Sequence, residues 1–283
     1  MIGAAFGFGY FYGNVRLARG TGTGFPVLYV NRGDGVNVDV SRMLTRLFLP
    51  AAVVLAFFTA VSATASWLDV LKGFNGVSVG TTDPLFGRDI SFYMFRLPLI
   101  SGVLGTLITL TFLSIVAAAV MYWMRNDITL PPRRASAKPR AARHLGGLLV
   151  LLCVLLAVRL WIVGTASLLY STTGPLLGAS FTDTHVALGG IYVSAVAALI
   201  AAAWIAFGAA RGRLVWSAVS AVVFYAVVGL LARGVVPAAS QKLVVSPTEL
   251  SREAPNRRPP TPAPPKAWGL ERAGRRRRSA RVG

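Results

Sequence analysis

Five stretches of this chain are so long and so uniformly apolar that they leave little choice of solvent. Leu47–Trp67, Leu99–Met124, Leu145–Tyr170, Val186–Ala210 and Leu214–Val236 each match the roughly 20 helical residues that cross a bilayer. A barrel strand would alternate apolar and polar positions over about ten residues. These blocks are apolar all round, so the expected fold is all-α: a polytopic transmembrane helix bundle. Composition agrees, since only 14% of the 283 residues are charged, against about a quarter in a soluble domain.

A shorter apolar run, Ile2–Asn14, opens the chain. It has no basic region before it and no small-x-small cleavage site, so it does not read as a signal peptide. The expectation is a partial transmembrane helix over residues 1–14, the second half of a span whose first half is missing. Gly3, Gly7, Gly9 and Gly13 provide two small-xxx-small spacings, which would let another helix approach closely. Glycine is also simply common in spans.

The formal charge of +19 raises the question of nucleic acid, and its distribution answers it. Most Lys and Arg sit in short loops between spans, and nine crowd the last 27 residues. Cytoplasmic loops are enriched in these residues. Segment 15–46 holds Arg16, Arg19, Arg32, Arg42 and Arg46; segment 125–144 holds Arg125, Arg133, Arg134, Lys138, Arg140 and Arg143; turn 211–213 adds Arg211 and Arg213. The alternate segments hold fewer: Lys72, Arg88 and Arg96 in 68–98, none in 171–185, Lys242 and Arg252 in 237–256. The expected topology puts the basic loops in the cytoplasm and 68–98 on the outer face of a bacterial plasma membrane. The partner expected is the lipid bilayer, with other membrane proteins or self-association possible and no nucleic acid. Tail 257–283 is too rich in proline and like charge to bury a core, so disorder is expected.

The outer segment contains DPLFGRDISFYMFRLP, from Asp83 to Pro98, set directly against the uncharged run Leu99–Met124. Trp67, Phe74, Phe86, Phe92, Tyr93 and Phe95 suit the headgroup zone, where amphipathic rings sit with one edge wet. Asp89 is placed to cap a short interfacial helix, and Pro98 suits the first turn of the next span. This cassette is either an interfacial collar or a docking surface for an outer domain.

Chemistry is sparse. The two histidines, His144 and His185, flank spans at opposite expected faces, and the single cysteine, Cys153, lies inside a span. No zinc tetrad can be assembled from them, and no cofactor is expected. GTGTG (Gly20–Gly24) lacks phosphate-cradling spacing and reads as a flexible loop. NRGDGVNVD (Asn31–Asp39) lacks the bidentate Glu of a calcium loop; Asp39 or Ser41 reads as a helix cap. Arg159 is the one charge well inside a span, toward its outer end. It either snorkels to water or pairs with Asp183 or Asp89. Asp183 and His185 could form a pH-sensitive pair, or Asp183 or Thr184 could cap the helix beginning near Val186. Asp83 and Arg88 complete the set of interfacial charges singled out. No acid lies within any span, which argues against a self-contained proton-coupled transporter.

Trp67, then Phe74-Asn75-Gly76, then DPLFGRDISFYMFRLP resemble the signature of the bacterial multi-pass membrane proteins grouped as uncharacterised protein family 0182. Pro50 inside a span, GASFTDTHVA (Gly178–Ala187) and QKLVVSPTELSREAP (Gln241–Pro255) resemble further stretches of it. The resemblance covers nearly all of residues 1–255 and implies about seven N-terminal spans followed by a large extracytoplasmic domain. Three departures stand out. The chain begins inside the second span; the family's charged residues in the third full span give way to WIVGTAS (Trp161–Ser167); and the resemblance stops after Asn256. The Arg-, Pro- and Ala-rich tail has the bias of an out-of-frame reading of GC-rich DNA, so a frameshift or truncated gene that deletes the outer domain is expected. The function expected is a membrane anchor and scaffold for that domain, without enzymatic activity. The alternative is a transporter or channel component.

Overall fold

The computed structural model describes residues 1–20, 29–31, 37–83, 85–129, 136–170 and 186–240, with side chains for all of these except 29–31, 37–45 and 170. Expectations for the GTGTG run, for the caps at Asp39 and Ser41, for the 171–185 loop with Asp183 and His185, and for everything after Ser240 fall wholly or largely outside them. The described residues form seven helices, five of them long and apolar enough to cross a membrane.

Helix α1, Ile2–Arg19, is longer than the Ile2–Asn14 run. Asn14 does not end it, because its side-chain amide donates to the Tyr10 carbonyl one turn back (2.7 Å) and so stays compatible with the helix. Two short antiparallel ribbons interrupt the all-α plan. Tyr29–Asn31 (β1) pairs with Asn37–Asp39 (β2), and Ile128–Thr129 (β3) with Ser136–Ala137 (β4). Helix α2, Val40–Ala65, runs through Pro50. It stops short of Trp67, which instead opens a separate nine-residue helix, α3, Trp67–Asn75. Its large apolar side chains Trp67, Leu71 and Phe74 are all exposed, as a helix lying in the interface would have them.

Helix α4, Leu97–Met124, has Pro98 in its first turn as expected. It does not start free, however: a π turn over Phe92–Arg96 feeds directly into it. Helix α5 starts at Pro139, six residues into what the sequence reads as loop, and continues from Arg159 through a π turn, Leu160–Gly164, to Ser167. Helix α6 is Leu188–Ala210. Helix α7, Leu214–Leu230, passes through a further π turn, Leu231–Val235, before Pro237. The π turns Phe92–Arg96 and Leu231–Val235 each end two residues before a proline. Proline supplies no backbone N–H and crowds the preceding carbonyl, and a widened turn is one way a helix absorbs that.

The helices pack in the order α2, α1, α4, α5, α6, α7. Lipid tails are as apolar as the side chains, so close fit rather than water exclusion holds such helices together. Gly146 on α5 lies where an added Cβ would come 2.8 Å from the Ala209 Cβ of α6. Gly208 on α6 meets Ser217 of α7 so closely that any side chain would overlap it. Ala195, Ala198, Ala201 and Ala202 bury the rest of α6. Of the two glycine pairs in α1, Gly3 and Gly7 do seat against Ala63 and Thr59 of α2, whereas Gly9 and Gly13 face open space. The main core gathers Ala118, Met121 and Tyr122 of α4, Ala141, Ala142 and Leu145 of α5, and Ile205 and Leu214 of α6 and α7.

Candidate functional site

The cassette Asp83–Pro98 is built around two carboxylates. Asp83 is buried and accepts from the Phe86 amide (2.7 Å), the Leu85 amide (3.2 Å) and the Tyr93 hydroxyl (3.2 Å). The backbone closes the same turn, Asp83 N–H to the Arg88 carbonyl at 2.7 Å and Gly87 N–H to the Asp83 carbonyl at 2.9 Å. Gly87 has φ 64°, a left-handed value that glycine adopts at no steric cost. Asp89 accepts from the amides of Ser91 (2.8 Å), Gly80 (3.1 Å) and Val79 (3.3 Å) and from the Ser78 hydroxyl. These donors, the Ser78 hydroxyl first and the Ser91 amide next, hold its carboxyl well below the usual carboxylate range. It caps the helical entry to α4 rather than α3, and it ties the Ser78–Gly80 loop to that entry. Arg88 lies over the Phe92 ring at 4.7 Å.

This arrangement changes the reading of two aromatics. Trp67 and Phe74 project outward as interfacial rings do, but Tyr93 is buried, serving the Asp83 carboxylate. The ten-residue spacing of Asp83 and Tyr93 across a turn carries no recognised signature.

Arg159 reaches neither carboxylate. Its guanidinium is half-buried and points at the Ser101 carbonyl near the start of α4 (3.4 Å), beside Gly105. Asp83 and Asp89 are engaged in their own turns, and Asp183 lies outside the described residues. Below α3 an apolar groove of about 830 Å³ opens between the α3-side halves of α2 and α4, with Gly3, Thr59, Ala63, Val70, Gly102 and Thr106 among its walls. Thr59, Thr106 and Thr109 in its walls hydrogen-bond their own helix carbonyls.

The end of the bundle opposite the cassette holds a polar junction that sequence reading missed. The Tyr10 hydroxyl pairs with Thr111 Oγ1 at 2.8 Å, at mid-length of α4. One turn further along α1, Asn14 Oδ1 lies 3.2 Å from His144 Nε2, and His144 Nδ1 lies 3.1 Å from the Tyr122 hydroxyl. Three helices are thus joined by a single imidazole. The Ser114 hydroxyl is fully buried and unpartnered among the described residues. At the cap of α1, the Arg140 guanidinium donates to the Leu17 carbonyl (3.0 Å) and Arg125 to the Arg19 carbonyl. Cations are favoured there because the last carbonyls of a helix lack partners. Asp127 accepts from Lys138 (2.6 Å) and Arg125 (3.2 Å). No group of three or more His, Cys, Asp or Glu that would hold a metal occurs among the described residues.

The model of the Uncharacterised protein family (UPF0182) matches residues 1–278. It extends past Asn256, where sequence reading ended the resemblance. The UPF0182 protein of Pelobacter propionicus is 34% identical over 223 residues, covering 77% of this chain and 24% of the relative. That of Cupriavidus necator is 37% identical over 207 residues, covering 72% and 22%. That of Geobacter sulfurreducens is 31% identical over 219 residues, covering 77% and 24%. No solved structure matches. The chain belongs to the UPF0182 family and spans about a quarter of the length of these relatives.

Proposed function

We propose, with this family membership as the premise, that the chain is the membrane-embedded anchor and scaffold of a larger protein. Its basic end lies in the cytoplasm and its outer cassette is a rigid platform for an extracytoplasmic domain. It catalyses no reaction of its own, and its partners are the bilayer and neighbouring membrane segments. The observation that carries this reading is how the hydroxyls of the spans are used. Thr59, Thr64, Thr106, Thr109, Thr165, Ser194, Ser217 and Ser220 all donate to carbonyls of their own helix three or four residues back. Such hydroxyls are spent on the backbone and do not line a hydrated path. The outer half of the α2–α4 groove is correspondingly apolar.

A second reading, a transporter or channel component, draws on the Thr111–Tyr10 pair and the Asn14–His144–Tyr122 set, which bring polar groups from the inner end to mid-bundle. Ion flux into proteoliposomes containing the purified chain separates the two. The anchor reading expects vesicles as tight as protein-free ones. A leak abolished by His144→Ala would establish the second reading instead.

A further inference from the structure

The two ends of the bundle differ in charge. At the outer end three described acids, Asp69, Asp83 and Asp89, offset most of the five described cations Lys72, Arg88, Arg96, Arg159 and Arg233. At the inner end Arg16 and Arg19 close α1, Arg125 and Lys138 flank the β3–β4 ribbon, Arg140 and Arg143 open α5, and Arg211 and Arg213 form the α6–α7 turn. Asp127 is the one acid there among the residues whose side chains are described, and Arg125 and Lys138 already hold it. Several of these cations are drawn together rather than spread apart. Arg140 reaches the Leu17 carbonyl, between Arg16 and Arg19 in sequence, and Arg125 reaches the Arg19 carbonyl. The partial negative charge of a helix C-terminus is about half a unit, far less than the positive charge converging on it. Like charges held this close raise one another's energy unless anions sit among them.

We propose that this guanidinium rim is a binding surface for the headgroups of anionic phospholipids in the adjoining leaflet. The chemistry fits, because planar guanidinium groups match phosphate oxygens with paired donors. The placement fits as well: the rim lies at the ends of spans, at the depth where headgroups lie. Arg125 and Arg140 are committed to carbonyls and set the shape of the rim. Arg16, Arg143 and Arg213 are exposed and offer their donors outward, Arg143 keeping one bond to its own helix at Pro139. The inference rests on the membrane reading above. That reading fails separately, if the chain remains in the aqueous phase without detergent.

The test is native mass spectrometry of the full detergent-solubilised chain, titrated with phosphatidylglycerol or with phosphatidylcholine. The rim predicts preferential retention of phosphatidylglycerol that weakens with added salt. Each lost surface cation is worth about fivefold in anionic-lipid binding. The triple variant Arg16→Gln, Arg143→Gln, Arg213→Gln therefore loses most of the preference, and the matching triple Lys variant keeps it. Glycerol phosphate, which carries the same anionic group without acyl chains, does not compete at equal concentration. Equal retention of both lipids, a preference unchanged in the Gln variant, or full displacement by glycerol phosphate would each overturn the proposal.

Discussion

The cassette end and the guanidinium-rich end of the bundle are held together by opposite strategies. The hydrogen bonds that hold the two cassette carboxylates join residues close in sequence: Asp83 with Leu85, Phe86 and Tyr93, and Asp89 with Ser78, Gly80 and Ser91. The inner junction joins residues more than a hundred positions apart: Tyr10 with Thr111, Asn14 with His144, Arg125 with the Arg19 carbonyl and Arg140 with the Leu17 carbonyl. A local cassette can form as soon as its span is inserted. The inner junction exists only after α1, α4 and α5 have met, so it reports assembly of the whole bundle.

The largest expected effect lies in the cassette. Asp83→Ala strands three donors at once, and unsatisfied buried groups cost about 1–3 kcal/mol each. A stability loss of about 3 kcal/mol is expected, read as a lower melting temperature of the detergent-solubilised chain, while lipid-protected helix content persists. If Asp83→Ala melts like the wild type, the cassette is not held by its carboxylate. The inner junction ranks next. Asn14→Leu leaves one imidazole nitrogen of His144 unpaired and loosens α1, with an expected loss of about 2 kcal/mol. Hydrogen exchange should then rise along α1 while the cassette keeps its protection; a matching rise at both ends would erase the contrast between them. Tyr122→Phe removes a single bond of the same junction and is expected to cost about 1 kcal/mol.

The smallest effect is a pH dependence at Asp89. Its folded carboxyl titrates below the usual range, so its contribution is fully present above the unfolded value near 3.8 and is lost as pH falls below that value. The difference in melting temperature between wild type and Asp89→Asn should therefore be constant from pH 7 to pH 5 and shrink toward pH 3. A difference that already shrinks between pH 7 and pH 5 would show that the Ser78 and Ser91 donors do not hold this carboxylate.

The same contrast explains what could be read from sequence. The five apolar blocks are periodicity-free runs whose length alone fixes their fate, so their existence was legible. Their ends were not: α2 stops before Trp67 and α5 starts at Pro139, because a helix extends into polar sequence wherever capping allows. Pro98 and the capping role of Asp89 were legible as local signals. Tyr93 was misplaced because an aromatic beside a membrane looks the same whether it faces headgroups or a buried carboxylate. The Asn14–His144–Tyr122 junction left no trace, since its partners are brought together only by helix packing, and the glycine contacts that set that packing look like ordinary span glycines. Gly3 and Gly7 are used and Gly9 and Gly13 are not, although their spacings are identical.

The central claim is that helices thread the chain through a bilayer with the guanidinium-rich end inside and the carboxylate cassette outside. Impermeant maleimide labelling of intact cells tests it most directly, in a Cys153→Ser background carrying either Thr81→Cys in the cassette or Ala210→Cys beside the basic turn, both exposed positions. Cysteine at 81 should react in intact cells and cysteine at 210 only after permeabilisation. Labelling of 210 from outside intact cells, with 81 protected, would contradict the account.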